Sequence, residues 1–486
     1  MSIELPLDIA ALDRARDSRD PRFDGKFFIA VTSTRIYCRP ICSVRSAKRA
    51  NIRYYFSAAA AAEAGYRPCL RCRPEAAPGT AAWHGTSAVV RRALRLIDAG
   101  VLDDGSVDEL AGKLGVGPRH LDRLFVQHVG ASPNTLAQTR RLHFAKRLLD
   151  ETSLPIGDIA LAAGFGSHRR LNSTFRRTYD CAPRDLRRRK RSDASAHPAG
   201  MVTLRLAFRP PYDFARVLAF LRARAIPGVE EVDAGSYSRA VRTRSGEAII
   251  RVGLLESGHA LELRVTGADP TDLFELSSAA RRVFDTSADP AQIMRAFQSD
   301  TILGPLAERS PGLRIPGAWD PFECAVRAIV GQQVSVAGAR TLTTRFVERL
   351  GTRLKSPAPG LTTLFPSPRA IVDGDLAGLG LMRSRIAAIR GLAQAVVARK
   401  LEFAAPADET AATLTQISGV GEWTSQYVAL RALGDPDAFP ASDLVLRRKA
   451  GAGNEALSES ELQSRAEAWR PWRAYAATYL WDAAAR

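Results

Sequence analysis

Four cysteines near the start of the chain constrain its fold more than any other feature of the sequence. Cys38 and Cys42 are separated by three residues, Cys69 and Cys72 by two, and 26 residues lie between the two pairs. Paired cysteines at such spacing are typical of a tetrahedral zinc site. Disulfides are the alternative in a secreted protein, but the sequence opens without an apolar, signal-like segment. We therefore expect zinc bound by four thiolates within residues 1–78.

Such a site allows two interpretations. Four thiolates around one Zn²⁺ leave the sulfur atoms electron-rich, so an exposed one could attack an alkyl group. A purely structural zinc site has the same spacing. Spacing alone therefore does not distinguish a reactive zinc centre from a structural one.

Length and charge indicate a multidomain protein with a polyanionic partner. At 486 residues the chain predicts three or four domains. Residues 1–190 contain 33 basic and 19 acidic residues, 14 of the net 18 positive charges of the chain. A field this positive favours a polyanion, because phosphate neutralisation releases counterions; the alternative is a merely soluble basic surface. Since no stretch of about 18 apolar residues occurs, we expect no membrane contact and a cytoplasmic location.

Residue patterns divide the chain into four domains. Strand-like pieces surround the cysteines in 1–78, and apolar residues at helical spacing fill 85–190. Residues 201–287 contain three predicted strands, MVTLRLAF, AIIRVGLL and ALELRVTG, with a helical segment, FARVLAFLRARA, after the first, and helices separated by Gly and Pro fill 288–486. The basic and small residues of 187–200 predict a linker. The expected fold class is multidomain, mainly α with α+β, and all-α in the last domain.

The cysteine region resembles a known family. FFIAVTSTRIYCRPIC together with YRPCLRC is similar to the Ada-type methylphosphotriester zinc domain. The resemblance implies that all four cysteines ligate zinc and that Cys38 accepts a methyl group from a phosphotriester of the DNA backbone. It also implies that Thr34, Arg45 and Arg67 lie near the phosphate. Ser43 stands where the family often has arginine.

Two segments of the second domain predict helix-turn-helix motifs. In 106–125 and 155–177 an apolar helix with a small residue is followed by a turn glycine, Gly115 or Gly164, and then by a polar, basic helix. Non-DNA-binding helical hairpins share this pattern. Two copies, with GFGSHRRLNSTFRRTYDCAPRDLR, resemble the AraC-type regulator domain. The candidate DNA contacts, whose alternative is a solvated helix face, are Arg119, His120, Arg123, Ser167, His168, Arg169 and Arg170.

The last domain contains a candidate hairpin followed by aromatic residues and an aspartate. Gly419 and Gly421 in ISGVGEWTSQYVALRAL predict a tight turn that opens a helix and exposes N–H groups to a phosphate. Trp423 and Tyr427 lie four apart on that helix, and Asp443 follows 20 residues after Trp423. Taken alone, Asp443 is better explained as a helix N-cap, and the aromatic residues as ordinary core.

The combination of motifs over residues 201–486 resembles the 3-methyladenine glycosylase II (AlkA) branch of the helix-hairpin-helix superfamily. Supporting strings are GLRIPGAWDPFECAVRAIVGQQVSVAGAR, FPASDLVLRRKAG and WRPWRAYAATYLW. The resemblance implies a TATA-binding-protein-like α+β lobe at 201–287 and a monovalent cation at the hairpin backbone. It assigns the catalytic carboxylate to Asp443, the base pocket to Trp423, Tyr427 and Trp481, and the gap left in the duplex to Gln332 and Gln333. At the position of Gln333 the family often has an apolar residue that inserts between the bases as a wedge.

The residue types suit excision of alkylated purines. An alkylated purine carries positive charge, so it leaves as a neutral base with little help from a general acid. The site instead needs to extrude the base from the stack, to hold it in an aromatic pocket and to place a carboxylate beside the sugar. We expect a monofunctional hydrolase, because the lysine of the lyases in this superfamily is replaced by Trp423. The expected partners of the protein are double-stranded DNA with alkylated bases and methylphosphotriesters, and promoter DNA. We expect the protein to be a monomer associated with the nucleoid.

Three other functions were considered. A methylation-responsive activator with a degenerate glycosylase half is disfavoured by the intact Asp443, Trp423 and Tyr427. An iron–sulfur lyase is excluded because Cys324 is the only cysteine beyond residue 200. An O6-methylguanine methyltransferase lacks its Pro-Cys-His-Arg motif.

Overall fold

The computed structural model describes residues 8–79, 88–98, 100–188, 200–256, 258–451 and 455–485. The chain divides into two compact units. The first comprises Met1–Pro210, Arg244–Gly246 and Leu255–Ser278, and the second comprises Pro211–Thr243, Glu247–Leu254 and Ala279–Arg486. Most of the predicted linker at 187–200 lies outside the described residues. In the described part of the chain, no helix has the length and apolar composition needed to cross a membrane.

The cysteine region of the first unit is built on a small four-stranded sheet. The sheet order is β3-β1-β2-β4, with β1 antiparallel to β2 and β3, and β2 parallel to β4. Parallel pairing brings the ends of β2 and β4 to one edge, where Cys38 ends β2 and Cys69 follows β4. The elements are α1 (Ile9–Ser18), β1 (Phe28–Val31), β2 (Ile36–Cys38), β3 (Ile52–Tyr55), α2 (Ala58–Glu63) and β4 (Arg67–Pro68).

Short helices follow in the first unit, as their apolar spacing predicts. Gly115 (φ 68°) and Gly164 (φ 74°) lie in the turns of the two helix-turn-helix motifs, in a left-handed conformation that disfavours other residues. The first motif is α5–α6, the second is α8–α9, and the long α7 separates them. The helices are α3 (Ala88–Asp98), α4 (Val101–Asp104), α5 (Val107–Lys113), α6 (Pro118–His128), α7 (Pro133–Glu151), α8 (Ile156–Ala162), α9 (His168–Tyr179) and α10 (Pro183–Arg188).

The next segment confirms the predicted strands and adds two more. It contains β5 (Met201–Ala207), α11 (Phe214–Arg224), β6 (Glu230–Val232), β7 (Ser236–Arg242), β8 (Glu247–Leu254) and β9 (Ala260–Thr266). In the first unit β5 pairs antiparallel with β9, from Met201↔Thr266 to Ala207↔Ala260. In the second unit β7 pairs antiparallel with both β6 and β8. The strands β6 and β7 were missed because EEVDAGSYSRAVR carries charged and small residues between its apolar ones.

The remainder is mostly helical, with one correction to the expected all-α domain at 288–486. A two-stranded antiparallel hairpin, β10 (Thr352–Ala358) with β11 (Leu361–Leu364), lies within it. Gly360 (φ 74°), which follows Pro359, makes the turn. Leu354 and Leu364 are buried against residues of β7 and β8, so burial overrides the helical context.

The helices of this part surround one core formed mainly by α15, α16, α18 and α20. That arrangement places the loop after α15 and the loop before α20 near the N-terminus of α18. The helices are α12 (Leu273–Val283), α13 (Pro290–Phe297), α14 (Leu303–Arg309), α15 (Pro321–Val330), α16 (Val336–Leu350), α17 (Pro368–Asp373), α18 (Arg383–Val397), α19 (Ala407–Thr415), α20 (Glu422–Arg431), α21 (Leu444–Ala450), α22 (Glu459–Ala466) and α23 (Arg473–Ala485).

Candidate active sites

The four predicted cysteine ligands converge in the first unit. The Sγ atoms of Cys38, Cys42, Cys69 and Cys72 all lie within 4.8 Å of one another. A Zn²⁺ bound to four thiolates at about 2.3 Å needs sulfur atoms about 3.8 Å apart. The donor set therefore fits zinc, and the expected ligands are all brought together.

Arg39, which no sequence motif pointed to, forms hydrogen bonds with this cluster. Its backbone N–H donates to Cys72 Sγ (3.3 Å), and its Nη1 donates to the Cys72 carbonyl (3.1 Å). The guanidinium also pairs with the buried Asp24, with Nε 2.8 Å from Oδ1. A hydrogen bond to a ligating sulfur and a nearby cation both stabilise negative charge on the thiolates.

The residues expected near a phosphate are distributed around the small sheet. Thr34 lies in the exposed turn before β2, whereas Cys38 ends that strand, so the length of β2 separates them. Arg67 is in β4 opposite Ile36 of β2. Arg45 is exposed, three residues after Cys42. Of these three residues, therefore, only Arg45 and Arg67 lie within three positions of a predicted cysteine ligand along the chain.

The long helix α7 packs against the cysteine region within the first unit. Tyr37, which precedes Cys38, has its hydroxyl 2.9 Å from His143 Nε2. Burial lowers the pKa of His143 to about 4, so the imidazole is neutral at physiological pH. Arg73, which follows Cys72, pairs with Asp150 (3.0 Å) and Glu151 (2.9 Å). Both cysteine-bearing segments therefore contact the helix that joins the two helix-turn-helix motifs.

The candidate DNA contacts lie on exposed ends of the second helix of each motif. Arg119, His120 and Arg123 are exposed on the first two turns of α6. Ser167 is the N-cap of α9, and its hydroxyl accepts from the Arg170 backbone N–H (3.2 Å). The side chains of His168, Arg169 and Arg170 are exposed in the first turn of α9.

A cavity of about 1110 Å³ opens in the second unit, and the predicted aromatic residues line it. Trp423 and Tyr427 on α20 stack with ring centroids 5.1 Å apart and 14° between their planes. Trp481 on α23 meets Tyr427 edge-on at 6.2 Å. Rings on two helices thus form one wall that could hold a flat ligand.

Asp443 lines the same cavity and also caps a helix. Its Oδ1 accepts from the backbone N–H groups of Val445 (2.9 Å) and Leu446 (3.0 Å) at the start of α21. Its Oδ2 accepts from Trp423 Nε1 at 2.7 Å. One carboxylate oxygen therefore serves the cap and the other faces the aromatic wall, so capping uses only half of the carboxylate.

Two arginines of the cavity wall, the half-buried Arg224 and the buried Arg431, lie over the same aromatic ring. The guanidinium carbons of Arg224 and Arg431 are 3.7 Å and 4.0 Å from the ring centroid of Phe220. Burial lowers the pKa of both guanidinium groups. All three residues line the cavity, so its wall is cationic as well as aromatic. Sequence reasoning missed them, although Phe220 and Arg224 lie four apart on α11, the spacing of one helix face.

The predicted hairpin joins α19 to α20. Gly419 has φ 85°, and a Cβ there would lie 2.9 Å from the Cβ of Ala388, so only glycine fits. Gly421 is the N-cap of α20 and makes no side-chain cap, which leaves the first N–H groups of that helix without a capping side chain. Both glycines are exposed.

The two glutamines after α15 have different surroundings. Gln332 is half-buried, and its Nε2 donates to the Gly419 carbonyl (3.1 Å) and to Thr424 Oγ1 (3.0 Å). Gln333 is exposed and has φ 54°. The side chain of Gln332 is thus bound within the protein, whereas that of Gln333 is free to project.

Four family models match successive parts of the chain. They are the metal binding domain of Ada (residues 11–75), a helix-turn-helix domain (110–189), the AlkA N-terminal domain (203–320) and the HhH-GPD superfamily base excision DNA repair protein (326–474). Together they cover the four cysteines, Trp423, Tyr427 and Asp443, whereas Trp481 lies beyond the last match.

A protein of Mycobacterium tuberculosis (strain CDC 1551 / Oshkosh) named "Probable bifunctional transcriptional activator/DNA repair enzyme AlkA" is 40% identical over 472 residues, which cover 96% of this chain and 95% of that protein. The chain belongs to this bifunctional AlkA family. The Escherichia coli (strain K12) protein "DNA-3-methyladenine glycosylase 2" is 32% identical over 281 residues, 57% of this chain and 95% of that protein. The structure of a 3-methyladenine DNA glycosylase from Archaeoglobus fulgidus shares the fold of this half, with a TM-score of 0.51 and 23% identity over 57% of this chain and 96% of that one.

Membership of the bifunctional AlkA family confirms the resemblances drawn from the sequence. It also confirms the expected architecture, in which an Ada-type zinc domain and a helix-turn-helix domain precede an AlkA-type glycosylase. Zinc is the metal that both the matched Ada domain and the four-cysteine cluster support. The roles of individual residues and the domain boundaries stay predictions.

Proposed function

We propose that this AlkA-family protein excises alkylated bases from double-stranded DNA by hydrolysis, with Asp443 as the catalytic carboxylate. The observation that carries the proposal is the convergence of Asp443 and three aromatic rings on one cavity. Substrates would be 3-methyladenine and 7-methylguanine. An alkylated purine carries positive charge, so it is attracted to the faces of Trp423 and Tyr427. The base must leave the stack to reach this wall.

Asp443 is suited to act on the sugar. A carboxylate offers about four acceptor positions, and three protein N–H groups occupy three of them. These bonds fix the carboxylate before substrate arrives, so little reorganisation is needed when positive charge develops on the sugar. The N-terminus of α21 also favours a negative charge at this position. Asp443 would stabilise the oxocarbenium-like sugar and orient the attacking water.

The hairpin would hold the DNA backbone beside the lesion. The uncapped N–H groups at the start of α20 suit a phosphate oxygen. A monovalent cation at the hairpin carbonyls would add to this attraction; since Gln332 already binds the Gly419 carbonyl, the cation would use the remaining ones. Gln333, exposed on its loop, would fill the space that the extruded base leaves.

The same site argues for a hydrolase without lyase activity. Among the described residues, none that lines the cavity is a lysine. The resemblance drawn from the sequence places Trp423 where the lyases of this superfamily have their lysine. The test is incubation of a duplex containing one 7-methylguanine with the protein, followed by separate detection of free base and of strand cleavage. We expect free base and an uncleaved abasic strand. Absence of free base would overturn the glycosylase assignment.

We further propose that the zinc domain accepts a methyl group on Cys38. Zinc, when bound, keeps the four thiols deprotonated. The Cys38 sulfur would attack the methyl carbon of a phosphotriester; a C–S bond forms, the C–O bond breaks, and the phosphodiester leaves with the electron pair. Peptide mass spectrometry after incubation with methylated DNA tests this. A methyl group on any other cysteine would contradict it.

The helix-turn-helix half would bind promoter DNA. Its two exposed basic helix ends, on α6 and α9, suit phosphates and base edges of adjacent major grooves. Because one chain carries both motifs, a monomer would suffice. The protein would then act on the chromosome in the cytoplasm. Binding of the full chain to the DNA upstream of its own gene, before and after methylation, measures this role.

A further inference from the structure

One helix contacts both DNA-facing loops of the second unit. The buried Arg385, in the first turn of α18, donates a hydrogen bond from Nη2 to the backbone carbonyl of Gln332. Farther along the same helix, Ala388 contacts the hairpin, where its Cβ leaves room for glycine alone at position 419. The loop after α15 and the hairpin before α20 therefore rest on the same two turns of α18.

The two loops are also joined directly. The Gln332 side chain donates to the Gly419 carbonyl (3.1 Å) and to Thr424 Oγ1 (3.0 Å), so it links the loop that carries Gln333 to both ends of the hairpin turn. Thr424 is buried, with 2% of its surface exposed. The backbone of Gln332 is held by Arg385 and its side chain by the hairpin, which leaves this residue little freedom to move.

Gln333 is the residue that these bonds position. It has φ 54°, a left-handed conformation that is unfavourable for a residue with a side chain and persists only where the surroundings impose it. The bonds that fix the preceding residue supply that constraint. Without Arg385 the Gln332 carbonyl would lose a charge-assisted hydrogen bond in a partly buried place.

We propose that Arg385 is a positioning residue for base extrusion: with Gln332 it locks the Gln333 loop to the hairpin, so that phosphate capture and insertion of Gln333 occur as one rigid movement. The inference rests on the proposed glycosylase function and concerns extrusion, not bond cleavage. Arg385 is not among the described residues that line the cavity, whereas Asp443 is. Its loss should slow excision only when the lesion is paired and stacked and must be pulled out of the duplex.

The test compares Arg385→Met with the matched control Arg383→Met on two duplexes. Methionine keeps much of the side-chain length and removes the donors, and Arg383 is exposed on the same helical turn. One duplex has 7-methylguanine opposite cytosine and the other has it opposite an abasic site, where extrusion is easier. We expect Arg385→Met to slow single-turnover excision about tenfold or more on the paired duplex and less than about twofold on the other. Arg383→Met should change both rates by the same factor.

A second variant guards against misfolding of the first. Thr424→Val keeps shape and removes the hydroxyl acceptor of Gln332, so it should shift the paired-to-unpaired ratio in the same direction by a smaller factor. Fluorescence of 2-aminopurine beside the lesion should report slower extrusion in both variants. Equal slowing on the two duplexes, or no slowing on either, would overturn the proposal. If the unsubstituted protein excised from neither duplex, the glycosylase function itself would fail, while the fluorescence would still report on the loop.

Discussion

Replacing Asp443 with asparagine separates its charge from its capping role. Asparagine caps helices about as well as aspartate, so its oxygen can still accept from Val445 and Leu446. The other atom becomes an NH₂ group facing Trp423 Nε1, so the 2.7 Å bond to the indole is lost. That loss should cost about 1–2 kcal/mol of unfolding free energy, because the bond is charge-assisted but half-exposed. With a typical domain stability of about 5–15 kcal/mol, the variant stays folded.

The effect on excision should be larger than the effect on stability. Removing a preorganised charge from a developing ion costs on the order of a hundredfold to a thousandfold in rate, or about 2.7–4 kcal/mol. DNA binding should persist, since one negative charge near phosphates is gone. Single-turnover excision at saturating protein, thermal melting and a binding titration measure the three quantities.

Two controls make the Asp443→Asn result specific. Asp320 is also an N-cap in the second unit, where it accepts from the Glu323 N–H at 2.8 Å, so Asp320→Asn should leave excision unchanged. Asp443→Ala removes the cap as well and should melt earlier than Asp443→Asn without excising more slowly. An Asp443→Asn variant that excises at nearly the unsubstituted rate would refute the catalytic assignment.

Four further predictions concern other parts of the molecule. Chelation of zinc should unfold the cysteine region before the second unit, because metal binding contributes folding free energy. Hydrogen exchange of the two regions would show the order of unfolding, and simultaneous unfolding would contradict the prediction. Burial raises the pKa of Asp285 to about 6, so the folded state holds this proton more tightly, and stability should fall as pH rises from about 4 to about 6; pH-dependent melting of Asp285→Asn should lack that fall. Arg169→Gln and Arg170→Gln should each weaken promoter binding and lower its salt slope by about 1, with base release unchanged; an unaltered slope would place these side chains away from phosphates. Borohydride should trap no covalent protein–DNA complex, because Trp423 replaces the lyase lysine, and a trapped adduct would reveal an unrecognised amine.

Local spacing predicted much of both sites. The four cysteines were predicted as ligands, and parallel pairing of β2 and β4 brings them to one edge, where their Sγ atoms converge. Gly419 was predicted to make a tight turn, and its φ of 85° and close contact with Ala388 explain why no other residue fits. In these cases the chemistry or the turn demands one residue type, which the sequence shows directly, even though the contacts involve distant segments.

What sequence reasoning missed depends on contacts between distant segments. Phe220 and Arg431 are 211 residues apart along the chain, and only the fold places Arg431 over the Phe220 ring in the cavity wall. Arg385 is one of several arginines on α18, and its sequence neighbours do not distinguish it from the others. Only the fold shows that it reaches the Gln332 carbonyl. The hairpin β10–β11 forms where burial of Leu354 and Leu364 against neighbouring strands outweighs the helical surroundings. None of these partners is encoded by local periodicity.

We propose that one chain repairs methylated DNA by two separate chemistries. The most direct measurement incubates the protein with DNA carrying both methylated bases and methylphosphotriesters, then quantifies free bases and peptide methylation by mass spectrometry in the same sample. Both products are expected, with Asp443→Asn losing only the free bases and Cys38→Ser losing only the methylated peptide. Absence of either product from the unsubstituted protein, or loss of both from one of these substitutions, would contradict it.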